Sequence, residues 1–195
     1  MQTAAGHRQT SGAPVFVHVA VLAAGLGVLA AAAARGWFFY DDWYFLRQLP
    51  EAIWAPHVGH WNAVPAVVFM GLQRVFGMDH YLPFAVPAIL AHLGVVHLLW
   101  RIMLRQGVRA WLAPAVSVLL TFLGAGAEAL AWAVQIGFVG AICAMLGAVL
   151  LLDHPRLTPA RGAAVAGLGS PGTRGSGTAS RPRPRPGTST SSWCA

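Results

Sequence analysis

The stretch Pro14 to Ala34, PVFVHVAVLAAGLGVLAAAAA, carries no formal charge. At 1.5 Å of rise per residue it matches the roughly 30 Å of bilayer hydrocarbon. It is longer than the roughly 7 to 15 residues of a secretory h-region, and of the side chains before it only Arg8 is charged. It therefore reads as an uncleaved first spanning helix. His18, its one polar side chain, reads as a neutral imidazole tolerated near the end of the span.

The rest of the chain agrees with that beginning. Of 195 residues, 56% are hydrophobic and only 10% charged, and the mean hydropathy is +0.59. These values favour a multi-pass membrane protein over a soluble domain. The 13 basic residues are all Arg, and the excess over acids falls after residue 155, so the pI of about 11.0 belongs to the tail. Arginines at helix ends and in a Gly/Pro/Ser stretch give no folded basic face, so nucleic acid is not expected as a partner. Cys143 and Cys194 make no disulfide framework.

The expected architecture is all-α and polytopic, with about four transmembrane helices, near residues 14–34, 81–100, 110–127 and 129–152. Residues 1–13 form a cytoplasmic N-terminus, 14–155 the membrane domain and 35–80 an external loop. Inside that loop the uncharged run Trp61 to Leu72 is too short to span and has the length of an interfacial helix. Ala110 to Leu152 is about twice the length of one pass, and only Glu128 interrupts it. A fold-back is cheapest beside Gly124 and Gly126, which places Glu128 at the tip of a hairpin.

Orientation follows from Arg near the helix ends. With the N-terminus inside the plasma membrane, Arg8, Arg101, Arg105, Arg109, Arg156 and Arg161 are cytoplasmic, against Arg35, Arg47 and Arg74 outside. The same orientation gathers Asp41, Asp42, Glu51, Asp79 and Glu128 on the outer side. Residues 156–195 are expected to be a disordered cytoplasmic tail, since from Gly169 onward there is no Leu, Ile, Val, Phe or Met. The same composition also fits GC-rich DNA read out of frame, with a fifth helix beginning near Arg161 lost to a frameshift. Both origins stay open.

The stretch richest in chemistry is Trp37 to Arg47, WFFYDDWYFLR. An interfacial aromatic belt accounts for its rings but not for paired carboxylates, which near a low-dielectric surface need a cation or a protonated partner unless both are simply solvated. Adjacent carboxylates repel. One of the pair is therefore expected to bind a divalent ion or a basic group such as Arg47, leaving the other as a base.

Glu128 begins the last expected helix, with Trp132 and Gln135 at i+4 and i+7 on the same face. A carboxylate, an indole and an amide there can take a metal ion, a sugar hydroxyl or a phosphate ester. Alternatively Glu128 answers the helix dipole and Trp132 anchors the interface. His57 and His60 have the i, i+3 spacing of a partial zinc site, which would need Asp41, Asp42 or His80 nearby. Hydrogen bonding to substrate is the plainer role for His60. His92 and His97 fit helix packing.

The order of a first helix, YDDWYFLR, HWNAVPAVVFMGLQRVFG, a second helix and EALAWAVQIGF resembles the beginning of a GT-C membrane glycosyltransferase. The likeness is to the polyprenyl-phosphate mannosyltransferases and aminoarabinose transferases, with an actinobacterial family-39-like flavour, and covers roughly residues 14–155. It implies a polyprenyl-phosphate sugar as donor, an unidentified acceptor at the outer membrane face, and a divalent cation such as Mg or Mn. It also implies that Asp42 or Asp41 is the catalytic base, with Asp42 favoured, and that Asp41 and Glu128 serve a metal. His60, Trp132 and Gln135 are the expected substrate contacts. Such enzymes have about twice as many helices, so a truncated form is expected. The rival expectation is a non-enzymatic membrane component: a subunit, a transporter piece or an inactive fragment.

Overall fold

The computed structural model describes residues 12–54, 56–57, 59–122, 132–153 and 159–168. These are almost wholly helical. Helix α1 covers Gly12–Ala33, α2 Asp41–Gln48, α3 Ala63–Phe76, α4 Leu82–Arg105, α5 Leu112–Thr121, α6 Ile136–Leu152 and α7 Pro159–Leu168. Short 3-10 turns occupy Glu51–Ile53 and Ala133–Gln135. A two-stranded hairpin pairs β1 (Pro56–His57) with β2 (His60–Trp61), in antiparallel register Pro56 to Trp61 and His57 to His60.

Three helical stretches among the described residues are long and apolar enough to cross a membrane: Gly12–Ala33, Leu82–Arg105 and Ala133–Leu152. They correspond to the first, second and fourth of the expected spans. The expected third one is described only as the ten residues of α5, and residues 123–131, Glu128 included, lie outside the described part. The second runs on past Trp100 to Arg105, because nothing in WRIMLR interrupts a helix before Gly107, which has a positive φ of 75°.

Residues 35–80 are more structured than a loop. Asp41 and Asp42 occupy the first turn of α2, where the helix dipole favours acids. The expected interfacial helix at Trp61 to Leu72 is shifted to Ala63–Phe76, with Trp61 in the hairpin. Residues 159–168, grouped above with the tail, form α7, packed on α6. Residues 169–195 lie outside the described part.

Packing follows small residues and a polar seam. Pro14, His18, Val21 and Gly25 make the buried stripe of α1, at the i, i+4, i+7 spacing of one helix face. That face meets α4 and α5. Gly25 lies against Thr121 and Leu93, and a Cβ added to it would collide with the Thr121 methyl, so a small residue is required at this crossing. Buried His18 bridges Ser117 Oγ (Nδ1, 3.0 Å) and His97 Nδ1 (Nε2, 3.2 Å) and stacks flat on Trp100, with centroids 4.2 Å apart. Because Ser117 donates its hydroxyl to Ala113 C=O, it accepts from His18 Nδ1–H, and His97 then donates to His18 Nε2. The imidazole binds three helices together. At the same end of α4, Arg105 donates to Leu150 C=O (3.0 Å) and lies 3.6 Å from Asp153, joining α4 to α6.

The hydrophobic core sits at the opposite end of α4. There Phe38, Phe45, Phe69, Tyr81, Phe84 and Ala133 are buried together, with Phe38 meeting Tyr81 and Phe84 edge-on at 5.2 and 4.9 Å. This aromatic core holds α2, α3, the start of α4 and the Ala133–Gln135 turn in one body, and that body carries the candidate site.

Candidate functional site

The two adjacent carboxylates have different surroundings. Consecutive residues on a helix point about 100° apart, so when one acid faces the core its neighbour faces the flank. Asp42 is fully buried. Its Oδ2 accepts from the Phe39 N–H (3.1 Å) and the Tyr81 hydroxyl (3.3 Å), and its Oδ1 accepts from the Val134 N–H (3.2 Å). The Tyr81 hydroxyl in turn accepts from the Ala133 N–H at 2.8 Å. The first free N–H groups of the Ala133–Leu152 helical stretch are therefore capped from across the molecule, by a carboxylate and a phenol.

Burial pushes the Asp42 carboxyl up to about 6, with backbone and Tyr81 hydrogen bonds pulling the other way and the Asp41 charge adding to the rise. Burial, reinforced by the Asp42 charge, likewise raises the Tyr81 phenol.

This capping changes the expected arrangement of Glu128, Trp132 and Gln135. Trp132 is extended (φ −95°, ψ 117°) and helical geometry starts at Ala133. Trp132 and Gln135 therefore do not stand at i+4 and i+7 on one helix. The physical reason is the pull of Asp42 and Tyr81 on the Ala133 and Val134 N–H groups, which fixes the helix start there.

Asp41 stands on the flank, with 39% of its side chain exposed. Its Oδ1 lies 3.0 Å from His57 Nε2. The His57 ring stacks on Tyr44, with centroids 3.8 Å apart and 21° between planes. Arg47, the basic partner expected for one acid, instead lies over the Trp43 ring at 5.9 Å.

Asp41 and His57 line a pocket of about 240 Å³, together with His60, Asn62, Trp132 and Gln135. All three expected substrate contacts thus border the same cavity as Asp41, although Trp132 and Gln135 reach it from a turn. The Trp132 indole N–H is shielded and has no hydrogen-bond partner among the described residues. Glu51, Asp79 and His80 are exposed and away from this pocket.

His60, Asn62 and Phe138 also line a second, larger hollow of about 960 Å³ that runs along α6 past Gly140, Ala144 and Ala148. The two hollows share His60, Asn62 and Phe138 in their linings, the smaller one bordered by Asp41 and the larger one mainly by apolar residues of α6. Among the described residues no three His, Cys, Asp or Glu side chains come close enough to hold one metal ion, and Glu128 lies outside them. Asp41, Asn62 and Gln135 nevertheless bring side-chain oxygens to the lining of one pocket, the ligand type that hard cations take.

No family model matches the chain, and no curated protein and no solved structure does either.

Proposed function

We propose that the chain is a membrane glycosyltransferase of the GT-C type, moving a sugar from a polyprenyl-phosphate donor to an acceptor at the outer face of the plasma membrane, with its N-terminus cytoplasmic. The observation that carries the reading is that a polar pocket and a larger hollow along α6 share His60, Asn62 and Phe138 in their linings. A polar pocket with one accessible carboxylate suits a sugar and its acceptor hydroxyl, and the adjoining groove along α6 suits an isoprenoid chain.

Of the two acids, Asp41 is the base in this reading. A general base must come within about 2.6 to 3.2 Å of the proton it takes, and Asp42 is enclosed with every oxygen already accepting. The acceptor O–H gives its proton to Asp41 as its oxygen bonds to the anomeric carbon. The anomeric C–O bond to phosphate breaks, and its electron pair leaves with the polyprenyl phosphate. His60 and Gln135 supply hydrogen bonds to sugar hydroxyls, and the unpartnered Trp132 N–H supplies a donor to a substrate oxygen. The described lining contains no Lys or Arg, so neutralising the leaving phosphate calls for a divalent cation, Mg or Mn, for which Asn62, Gln135 and Glu128 would supply oxygens, leaving Asp41 to take the proton.

The test is transfer of labelled sugar from polyprenyl-phosphate donors by the purified full chain with Mg or Mn present. Asp41→Asn should reduce transfer by about 100- to 10,000-fold, the usual share of a general base. Transfer that survives in Asp41→Asn overturns Asp41 as the base, and absence of transfer by the unsubstituted chain overturns the proposal in favour of a non-enzymatic membrane component.

A further inference from the structure

We infer that His57 is a positioning residue for Asp41: its Nε2–H fixes the carboxylate while its ring is held by Tyr44. The catalytic consequence rests on the reading of Asp41 as the base, but the clamp itself does not.

Asp41 and Tyr44 are three residues apart on α2 and so share a face. One takes the imidazole N–H at 3.0 Å and the other carries the imidazole ring at 3.8 Å. The edge of Phe45 closes the third side, with centroids 5.8 Å apart. Behind the ring, the His57 backbone is fixed twice, by pairing with His60 in the hairpin and by the Asn62 amide, which donates to His57 C=O at 3.5 Å. The hairpin is anchored in turn by the Trp61 indole N–H on Ile53 C=O at 2.8 Å. Asp41 has no other hydrogen-bond partner among the described residues, so without His57 its χ1 is free to sample the staggered wells. A displacement near 1 Å at a reacting group can cost about 100-fold in rate.

The imidazole's two contacts separate experimentally. His57→Gln keeps an N–H donor at similar reach and loses the ring; His57→Phe keeps the ring on Tyr44 and loses the donor. Carbodiimide labelling of Asp41 in the detergent-solubilised full chain, read residue by residue by mass spectrometry, reports the state of the carboxylate without needing activity. Labelling in His57→Gln should stay within about twofold of the unsubstituted chain. It should rise by about tenfold in His57→Phe, the size expected for losing a hydrogen bond to a charged group. The reverse order, or no change in either variant, overturns the clamp. Where transfer is measurable, kcat should follow the same order with KM unmoved. The expected labelling without any transfer by the unsubstituted chain supports the clamp and removes the glycosyltransferase reading, so the two fail separately. If neither variant can be purified, carbethoxylation of histidines in the unsubstituted chain should raise Asp41 labelling, and unchanged labelling overturns the inference.

Discussion

Replacing Asp42 by Asn should destabilise the protein in acid and do so far less at neutral pH. In the fold this carboxyl is raised from its ordinary value of 3.8 to about 6. The folded state therefore holds the proton more tightly than the unfolded chain, and stability from this group falls as pH rises through 4 to 6. The full difference is about 3 kcal/mol, of which about 2 kcal/mol is realised between pH 4.5 and 7.5. Asn removes this dependence. It also puts an NH2 group against either the Val134 N–H or the Phe39 N–H and Tyr81 hydroxyl, which costs about 1–3 kcal/mol. At pH 4.5 that cost should be offset by only about 1 kcal/mol. At pH 7.5 it should be largely offset, because the original chain there carries the burden of a buried charge. Thermal unfolding in detergent, followed by tryptophan fluorescence at both pH values, measures the gap between the two proteins. The gap should narrow or invert by about 4 to 8 °C on going to pH 7.5, at about 2–4 °C per kcal/mol for a chain of this size. Other titrating groups cancel in the comparison. An equal gap at both pH values would show that Asp42 is not held with a raised pKa and would refute this account of the buried carboxylate.

Tyr81→Phe removes a hydroxyl that both donates to Asp42 and accepts from Ala133, and should cost about 1–3 kcal/mol by the same unfolding measurement. Combined with Asp42→Asn it should be clearly non-additive, since the two share one network. Gly25→Ala should cost about 1–3 kcal/mol through its collision with Thr121, and Thr121→Ala should recover part of the loss. His18→Phe, which keeps the ring on Trp100 and gives up two interhelical hydrogen bonds, should cost under about 2 kcal/mol, since such bonds average about 0.6 kcal/mol each within a membrane. For orientation, a cysteine at position 51 should react with an impermeant maleimide added outside cells; reaction only after the cytoplasmic face is opened would invert the proposed topology.

What the sequence disclosed and what it hid divide along physical lines. The apolar runs of α1 and α4 were legible because length and lack of charge are local properties, and both are found within a few residues of the expected places. The apolar run to Trp100 marks the expected span, and α4 itself continues through Arg101 to Arg105, because arginine is a good helix former. The start at Ala133 was not readable at all, since its capping groups, Asp42 and Tyr81, come from remote parts of the chain. The DD pair was visible as a feature, but the difference between its members depends on which way α2 rolls against the aromatic core, a tertiary fact. His57 stood out only as part of an HxxH spacing. Its pairing with Asp41 needs the hairpin register, which PHVGHW leaves unspecified.

The Asp42 to Val134 bond spans 92 positions of sequence, and this has a consequence for biosynthesis. At about 5 to 20 residues per second of translation, the carboxylate waits roughly 5 to 20 s for its distant N–H partner to be made. Throughout that interval α2 lacks one of the contacts that orient it, and the nascent first half is a substrate for whatever chaperone shelters half-finished helical bundles. A ribosome-stalled chain ending before Ala133 should therefore leave Asp42 open to carboxyl reagents from which the finished protein shields it.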